Sequence, residues 1–285
     1  MKDLEGRVAV VTGGGSGIGR ALAHAAGAAG MKVVVADIDH DAAETVAGEL
    51  RDRGGSALAT LTDVSKRDAT EALAEKTWAE FGGCHLLFNN AGLLVIGPLD
   101  DRDDSEWRRA VDVNLMGVVN GVQAFVPRMK AQGGEAHIVN TASMSGLMPS
   151  PSMGVYVTTK YAVVGLSESL RADLAPHGIG VTVLCPGGVK THLIGTALRD
   201  AGSEEAVVER IRHLTEVASL TSETAEDLLD PSQVAEAAFD GVRENRGFVV
   251  THAHLYRRLV EERHRDLLRA FDAAQGPARG SATRP

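Results

Sequence analysis

A tyrosine and a lysine are placed where their side chains would meet. Tyr156 and Lys160 are four residues apart at the start of a segment with helical periodicity. This spacing puts both side chains on one face of a helix, about 6 Å apart along its axis. A neighbouring ammonium stabilises a phenolate. Moving a tyrosine pKa from about 10 toward 7 requires about 4 kcal/mol, which two nearby cations in a partly buried site would supply. The pattern indicates a reactive phenol, but the same spacing also occurs often by chance.

Two polar residues elsewhere add weight to this pair. Ser143 comes just beyond the apolar run Ala136–Thr141, where its hydroxyl would be able to hydrogen-bond a substrate oxygen next to the phenol. Asn114 lies in the middle of a predicted helix, a position that mildly disfavours asparagine. Its apolar neighbours are equally consistent with a buried structural amide and with a member of an active site.

Glycines separate the first predicted strand from the helix that follows it. The strand Arg7–Thr12 leads into Gly13, Gly17 and Gly19, a spacing that differs from the G-x-G-x-x-G template. Glycines here permit positive φ and let the backbone approach a pyrophosphate. The N-terminus of the following helix offers free N–H groups and a positive dipole end to the anion. A purely structural turn is the alternative for this motif taken alone.

An acidic residue ends the second predicted strand. Asp37 follows the apolar run Val33–Ala36, near the place where a carboxylate binds the ribose hydroxyls of an adenosine. A carboxylate about 4 Å from one phosphate charge costs about 1 kcal/mol in water and about 4 kcal/mol at an effective dielectric constant of 20. Neither Ser16 nor Ile38 supplies a compensating cation. Asp37 therefore predicts NAD rather than NADP, with a solvated turn residue as the alternative.

Two further strand ends are predicted to face the same crevice. Asp63 and Val64 follow the third predicted strand, and Asn90, Ala91 and Gly92 follow the fourth. Ligands of open α/β sheets bind beyond the carboxyl ends of the strands. Each short motif is weak evidence by itself, and their order along the chain is what supports a dinucleotide site.

The elements that must position these residues alternate between strands and helices. Short apolar runs, typical of strands covered on both faces, predict strands at Arg7–Thr12, Lys32–Ala36, Ser56–Leu61, His85–Asn89, Ala136–Thr141, Ile179–Cys185 and Gly247–Val250. Segments of helical period lie between them, at Gly17–Ala29, Asp41–Asp52, Lys66–Phe81, Ser105–Lys130 and Val155–Pro176. The alternation predicts an α/β fold, a doubly wound, mostly parallel, seven-stranded sheet with helices on both faces.

Two regions interrupt the alternation and set the predicted domain organisation. Residues 189–230 form an insertion, and a long segment without a strand pattern is typical of a lid or binding loop. From His252 onward, apolar residues at helical spacing predict an amphipathic C-terminal helix. The sequence therefore predicts one catalytic domain over residues 1–251, a helical extension over 252–275 and a disordered tail over 276–285.

Composition narrows the classes of function. The chain of 285 residues is 44% hydrophobic with a formal net charge of -9, which argues against nucleic acid or an anionic membrane surface as a partner. The N-terminal segment has no apolar h-region, and His24 and Lys32 interrupt the longest alanine-rich stretch, so we expect neither a secretory signal nor a membrane span. Cys84 and Cys185 are interpreted as reduced core residues, and no histidine lies in a metal-ligating pattern. We therefore expect a cytoplasmic protein that binds no metal.

Taken together, these motifs resemble those of the short-chain dehydrogenase/reductase family, over roughly residues 4 to 250. The family's glycine motif matches Thr12-Gly13-x3-Gly17-x-Gly19, its Asn-Asn-Ala-Gly motif matches Asn89–Gly92, and its Pro-Gly motif matches Pro186–Gly187. Its catalytic tetrad falls on Asn114, Ser143, Tyr156 and Lys160. The tail beyond Gly247 is longer than is usual in the family.

The resemblance implies a Rossmann fold and an NAD-dependent oxidoreductase, with Tyr156 as the general acid–base. It further implies that Lys160 binds the nicotinamide ribose and lowers the phenol pKa, that Ser143 orients and polarises the substrate oxygen, and that Asn114 holds a water linking Lys160 to solvent. The cofactor would carry out the hydride transfer. A homo-oligomer, either a tetramer or a dimer, is also implied. The residues implied in cofactor binding are Gly13, Gly15, Ser16, Gly17, Ile18, Gly19, Asp37, Asp63, Val64, Asn90, Ala91, Gly92, Tyr156, Lys160, Pro186, Gly187, Val189 and Thr191.

The substrate pocket is expected to have mostly apolar walls, formed by residues 93–96, 144–148, 153–155 and 187–198. The candidate substrate contacts are Leu94, Met144, Ser145, Met153, Tyr156, Gly187 and His192. Methionines offer an adaptable apolar surface, although each stretch is equally consistent with ordinary core. We therefore expect a small-molecule substrate, a secondary alcohol or ketone on an apolar skeleton such as a terpenoid, a steroid or an alicyclic compound.

Two alternatives stay open. The first keeps the class of enzyme and changes the substrate to a sugar, a polyol or an acyl thioester. A thioester reductase would be expected to show basic residues at the pocket mouth, and residues 189–230 contain few. The second alternative is a non-catalytic NAD(H)-sensing binding protein, because a fold does not dictate a function. Such a protein has no reason to keep the four residues of the tetrad together.

Overall fold

A parallel sheet forms the centre of the structure, a computed structural model that describes residues 1–221 and 224–275. Within these residues the strands are β1 (Val8–Thr12), β2 (Lys32–Asp37), β3 (Ala57–Leu61), β4 (Leu86–Asn89), β5 (Ala136–Thr141), β6 (Ile179–Cys185) and β7 (Phe248–Val250). All of them pair in parallel, in the order β3-β2-β1-β4-β5-β6-β7. The strand order reverses between β1 and β4, and ligands of open sheets bind at such a switch point.

Helices cover both faces of this sheet. In the described part of the chain they are α1 (Gly17–Ala28), α2 (His40–Asp52), α3 (Arg67–Phe81), α4 (Asp104–Ala110), α5 (Gly117–Gln132), α6 (Gly154–Leu174), α7 (Leu193–Arg199), α8 (Glu204–Thr221), α9 (Pro231–Arg243) and α10 (Ala253–Gln275). Successive strand residues point to opposite faces, so Ala9 and Val11 pack with α1, α2 and α9 whereas Val10 packs with α3 and α5. None of the described helices is both long and apolar enough to cross a membrane.

The predicted fold class is confirmed. Each predicted strand is present, with bounds that differ by at most a residue or two, because a run of apolar residues buried on both faces leaves little freedom in its ends. Helix α9 was not predicted, although Asp230 and Gln233 form a reciprocal capping box at its start, which is a sequence-level signal of a helix N-terminus. The predicted tail, residues 276–285, lies outside the described residues, and the division into domains stays a prediction.

The helix predicted over Ser105–Lys130 is divided into three parts. Between α4 and α5 the backbone of Val111–Met116 adopts a π-helix. A π-helical turn accommodates an extra residue and is frequent at functional sites. The tetrad candidate Asn114 lies inside this turn, so its backbone differs from the regular α-helix that the sequence predicts.

The two ends of the insertion after β6 pair with each other outside the sheet. Leu229 donates a 3.1 Å hydrogen bond to the carbonyl oxygen of Gly188, and Lys190 donates a 2.9 Å hydrogen bond to the carbonyl oxygen of Leu229. This pairing, which we call the lid root, closes the base of the excursion. Helices α7 and α8, which we call the lid helices, lie beyond it. The loop-like insertion predicted from the sequence is therefore largely helical.

Candidate active site

The first two turns of α6 carry the predicted tyrosine–lysine pair. The helix turns one side toward the sheet, and that side buries Tyr156, Thr159 and Lys160. The Nζ of Lys160 lies 5.5 Å from the centre of the Tyr156 ring. It also donates a 2.8 Å hydrogen bond to the carbonyl oxygen of Thr141, at the end of β5. The phenol and the ammonium therefore lie side by side at the carboxyl edge of the sheet.

Ser143 lies just beyond the same strand end. Its backbone is extended, and its Oγ accepts a 3.1 Å hydrogen bond from the amide of Ser145, which caps a short 3-10 turn. The hydroxyl is close enough to the Tyr156 phenol to lower its pKa, and it lies 3.4 Å from the carbonyl oxygen of Pro186. Because the contact with Pro186 is long, the single hydroxyl hydrogen can turn toward the phenol oxygen.

Burial controls the protonation of the tyrosine–lysine pair. It raises the pKa of Tyr156 to about 12, while the hydrogen bond with Ser143 acts in the opposite direction. It lowers the pKa of Lys160 to about 8, since removing a group from water disfavours its charged form. The predicted lowering of the phenol pKa assumed two nearby cations. The protein itself supplies one of them, Lys160, and the effect of burial on the phenol pKa is larger than the effect of this ammonium. The protein's own groups therefore keep the phenol protonated at neutral pH, ready to donate a proton.

Asn114 connects α6 to the segment after β4. Its Oδ1 accepts a 2.8 Å hydrogen bond from the amide of Leu93, and its Nδ2 donates to the carbonyl oxygen of Leu93 at 2.9 Å and to Thr159 Oγ1 at 3.1 Å. A Cβ at Gly92 would lie 3.2 Å from the Asn114 Oδ1 and 3.5 Å from the Lys160 Nζ. Asn114 therefore lies close to the ammonium, while its amide fixes α6 against the neighbouring backbone. The water-holding role stays a prediction.

The glycines of the turn after β1 lie where a side chain would not fit. A Cβ at Gly13, whose φ is +64°, would lie 2.9 Å from the Cα of Ala91, and a Cβ at Gly19 would lie 1.9 Å from the carbonyl oxygen of Gly13. Helix α1 follows, and the side chain of its N-cap residue, Ser16, makes no capping hydrogen bond. The N–H groups of the first turn are thus open to an anion, as a pyrophosphate site requires.

Carboxylates mark the next two strand ends. Asp37 Oδ2 accepts a 2.9 Å hydrogen bond from the amide of Gly15, which holds the side chain toward the glycine turn. Asp63 Oδ1 accepts from both the amide and the hydroxyl of Ser65. Beside them, the buried hydroxyl of Thr62 has no hydrogen-bond partner among the described residues. An unpaired buried hydroxyl is costly, so this edge of the sheet fits a ligand with polar groups, such as an adenosine.

The ends of β1 and β4 are tied together. Thr12 Oγ1 accepts hydrogen bonds from the amides of Asn90, at 2.9 Å, and Ala91, at 3.1 Å. The Asn90 side chain donates to the carbonyl oxygen of Thr12 at 3.1 Å. The small residue at position 91 then lies directly against Gly13. This packing gives the crevice between the two strands a backbone floor.

One cleft of about 890 Å³ contains almost the whole predicted site. Every residue predicted to bind cofactor or substrate lines it, except Gly15, whose amide is bonded to Asp37. Of the tetrad, Ser143, Tyr156 and Lys160 line the cleft, whereas Asn114 lies behind the wall. The residues present therefore fit a dinucleotide at the end near Asp37 and a substrate at the end near Tyr156.

The lid helices form one wall of the cleft. The predicted pocket included residues 187–198, which contain most of α7, but no residue of α8. Leu193 and Ala197 of α7 and Leu214 and Val217 of α8 pack in one apolar cluster with Tyr156. The residues of α8 that line the cleft recur at helical spacing, at Ile211, Leu214, Thr215, Val217, Ala218 and Leu220. Apolar residues at this helical spacing in the sequence predict an amphipathic helix.

Ion pairs attach the lid helices to α4. Arg210 of α8 lies 3.0 Å from Glu106, and both side chains are mostly buried, with exposed fractions of 11% and 24%. Glu106 also pairs with Arg102 at 3.2 Å. Arg109 pairs with Asp200, at the end of α7, at 2.7 Å. Both Arg109 and Asp200 line the cleft, and each neutralises the other there.

Comparison with known proteins agrees with this geometry. Residues 7–201 match the short chain dehydrogenase family, and the chain belongs to that family. It is 37% identical to a C alpha-dehydrogenase from Sphingobium sp. over 255 residues, which are 88% of this chain and 82% of the relative. It is 40% identical to a 2,5-dichloro-2,5-cyclohexadiene-1,4-diol dehydrogenase from Sphingobium indicum over 206 residues, which are 72% of this chain and 81% of that enzyme.

A solved structure extends the similarity to the fold. A short chain dehydrogenase/reductase from Burkholderia phymatum, crystallised in complex with NAD, superposes with a TM-score of 0.85 at 36% identity and covers 95% of this chain and 97% of its own. The similarity therefore includes the sheet, the glycine turn and the helix that carries Tyr156 and Lys160. The protein is an oxidoreductase of the short-chain dehydrogenase/reductase family with a Rossmann fold and a nicotinamide cofactor.

Proposed function

We propose that the protein is an NAD-dependent dehydrogenase that interconverts a secondary alcohol and a ketone on an uncharged, apolar skeleton. The observation that carries the proposal is that Ser143, Tyr156 and Lys160 line the wall of one apolar cleft, with the Lys160 ammonium 5.5 Å from the centre of the Tyr156 ring. Hydroxyl, phenol and ammonium in one row are able to bind an oxygen atom and move a single proton to or from it. Bound NAD supplies the hydride acceptor for this chemistry.

The protein groups have distinct tasks in this proposal. Ser143 donates a hydrogen bond to the substrate oxygen and holds it beside the phenol. In ketone reduction, Tyr156 gives its proton to that oxygen, and in alcohol oxidation it takes the proton back. The ammonium of Lys160, fixed by the carbonyl oxygen of Thr141, lowers the cost of a phenolate in a buried place. The cofactor-binding residues near Asp37 and the glycine turn hold the dinucleotide.

The choice of NAD rests on the charges at the adenosine end. Among the described residues that line this end, Asp37 and Asp63 are the charged ones, and both are acidic. A 2′-phosphate placed beside them would be repelled. The related structure from Burkholderia phymatum, which holds NAD, supports the same choice.

The substrate class rests on the wall around Tyr156. Leu94, Met153, Leu193 and Leu214 pack about the phenol. At this end the described charged residues that line the cleft are Lys160, which the site uses, and the mutually neutralised pair of Arg109 and Asp200. Burying a charged substrate against such a wall would be costly. An alicyclic alcohol fits this environment, and the relative that is named for a cyclohexadiene diol supports it. We also propose a homo-oligomer, a dimer or a tetramer, which size-exclusion chromatography would test.

The test is NADH production, followed by ultraviolet absorbance, over a panel of apolar, sugar and hydroxy-acid secondary alcohols. Tyr156→Phe should reduce turnover by about a hundredfold or more while NADH still binds. Tyr161→Phe is the matched control, because it removes the same hydroxyl five residues further along α6 and Tyr161 does not line the cleft. Exclusive turnover of a sugar or a charged hydroxy acid would refute the substrate class. Retention of more than a few per cent of the rate in Tyr156→Phe would refute the acid–base role, and NADH binding without any turnover would favour a sensor.

A further inference from the structure

A buried histidine at the start of α10 has no part in the proposed proton chemistry. His252 is fully buried and its carbonyl oxygen accepts hydrogen bonds from the amides of the first turn of the helix, Leu255 and Tyr256. His252 therefore lies between β7 and α10, at the start of the helix. Fully buried polar side chains are retained where they make specific hydrogen bonds, and two partners of this ring belong to segments that line the cleft.

The hydrogen bonds of the ring determine its protonation. Its Nδ1 lies 3.2 Å from the amide nitrogen of Gly187, and its Nε2 lies 3.2 Å from the carbonyl oxygen of Asp227. A backbone amide can only donate and a carbonyl oxygen can only accept, so Nδ1 is the acceptor and Nε2 carries the hydrogen. The hydroxyl of Thr251 lies 2.7 Å from the same Nδ1. The imidazole is therefore neutral and bridges two segments of backbone.

The first of these segments is the Pro-Gly turn. A Cβ at Gly187 would lie 2.7 Å from the His252 Nδ1 and 2.8 Å from the Tyr256 Cε2, so the C-terminal segment packs directly on the turn. On the other side of the turn, the carbonyl oxygen of Pro186 accepts a 2.8 Å hydrogen bond from the amide of Met144. The turn is thus clamped between α10 and the backbone beside the catalytic serine.

The second segment is the lid root. Asp227 precedes Leu229, which pairs with Gly188 and Lys190, and its neighbours Thr224, Ala225 and Leu228 line the cleft. One ring nitrogen therefore holds the incoming strand of the lid root and the other holds the returning strand. A single side chain fixes both ends of the excursion that carries the lid helices.

We infer that His252 is a positioning residue for the cofactor. Its neutral imidazole fixes the amide of Gly187 and the lid root as one unit, so the C-terminal helix sets the shape of the cleft beside the tyrosine of its own subunit. This inference rests on the proposed function only in naming the nicotinamide cofactor as the ligand that the Pro-Gly turn receives. The geometry assigns to α10 a task within the site of the same chain.

Three substitutions separate the two bonds of the ring. In His252→Asn the amide oxygen takes the place of Nδ1, in His252→Gln the amide nitrogen takes the place of Nε2, and in His252→Phe neither bond is possible. His264→Asn, at an exposed position on the same helix, is the matched control. We expect the Kd for NADH to rise about tenfold in the Gln and Phe variants, equal to about 1.4 kcal/mol, and to stay within about threefold in the Asn variant and the control.

Hydrogen exchange gives a readout that needs no cofactor and no turnover. In the protein without NADH, exchange in residues 186–190 should accelerate in the Gln and Phe variants but not in the Asn variant. Exchange in residues 224–230 should accelerate in the Asn and Phe variants but not in the Gln variant. Thermal unfolding verifies that each variant is folded, and if the Phe variant does not fold, the comparison of Asn with Gln decides.

The outcomes distinguish this inference from the proposed function. Equal exchange and equal NADH affinity in the Asn and Gln variants would overturn the positioning role, since a merely structural histidine would not distinguish its two nitrogens. Unchanged NADH affinity in the Phe variant would overturn it as well. Absence of NADH binding in the unaltered protein would overturn the proposed cofactor and this inference together.

Discussion

Replacing Asp37 with asparagine is expected to relax the preference for NAD over NADP. The carboxylate cannot turn away from the adenosine end of the cleft, because two backbone amides hold it. Its Oδ2 accepts a 2.9 Å hydrogen bond from Gly15, and its Oδ1 accepts a 3.0 Å hydrogen bond from Asp39. A fixed charge at the wall of a binding site discriminates between ligands that differ in charge at that point.

The size of the effect follows from the charges involved. A phosphate monoester carries a charge of about −1.5 to −2 at neutral pH. A pair of unit charges about 4 Å apart repels by about 1 kcal/mol in water and about 4 kcal/mol at an effective dielectric constant of 20. Asp37 is partly exposed, so we expect the lower end of this range, a change of about tenfold in relative affinity.

Fluorescence titrations with NADH and NADPH would measure this ratio in the unaltered protein, in Asp37→Asn and in Asp39→Asn. Asp39→Asn is the matched control, because it removes the same charge two residues away at the N-cap of α2, and Asp39 does not line the cleft. The ratio of Kd for NADPH to Kd for NADH should fall about tenfold in Asp37→Asn and stay within about threefold in the control. In the unaltered protein this ratio should also fall with added salt. An unchanged ratio in Asp37→Asn, or an equal change in the control, would refute the electrostatic argument.

Single contacts elsewhere in the structure give three more predictions. Gly19→Ala places a Cβ 1.9 Å from the carbonyl oxygen of Gly13, so the Kd for NADH should rise about tenfold or more. Gly165→Ala is the control, because a Cβ there meets nothing within 4 Å, and it should leave the Kd for NADH unchanged. Glu106→Gln weakens the attachment of α8 to α4, and steady-state kinetics should show the KM for the alcohol rising about two- to fivefold with the Kd for NADH unaltered; a parallel rise in both would contradict the lid assignment. Burial lowers the pKa of His137 to about 3. As the pH decreases, the unfolded chain therefore takes up this proton before the folded chain does. The free energy of unfolding should decrease when the pH drops below about 6.5, by about 2 kcal/mol at pH 5. Denaturant unfolding at pH 5 and pH 7 would check this, and His137→Gln should lose most of the difference.

Residues at the ends of parallel strands could be predicted from the sequence. Gly13, Asp37, Asn90 and Ser143 each follow a predicted strand, and the carboxyl ends of parallel strands meet at one edge of a sheet. The pair Tyr156 and Lys160 could be placed because a helix fixes the relation of residues four apart. In these cases a local rule and a known sheet direction are together sufficient.

Other members of the site depend on contacts between distant parts of the chain. Asn114 lies in a π-helical turn and bonds Leu93 and Thr159 from it, and nothing local in its sequence requires that turn. His252 meets Gly187 across a separation of 65 residues. A contact between residues so far apart leaves no periodic pattern in the sequence, so only the structure shows it. The lid helix α8 is a different case, because its apolar period was present in the sequence and was not used.

The apolar wall and the protonation of the site have one physical cause. The lid helices pack on Tyr156, and the same burial that disfavours a charged substrate raises the pKa of the phenol to about 12 and lowers the pKa of Lys160 to about 8. A lid that opened would return water to both groups, and their pKa values would move back toward about 10 and 10.4. In the proposed function, selection of an apolar substrate and tuning of the acid–base pair are therefore not separable. A substitution that loosens the lid should alter the pH dependence of turnover together with the KM for the alcohol, whereas a substitution at the adenosine end should alter neither.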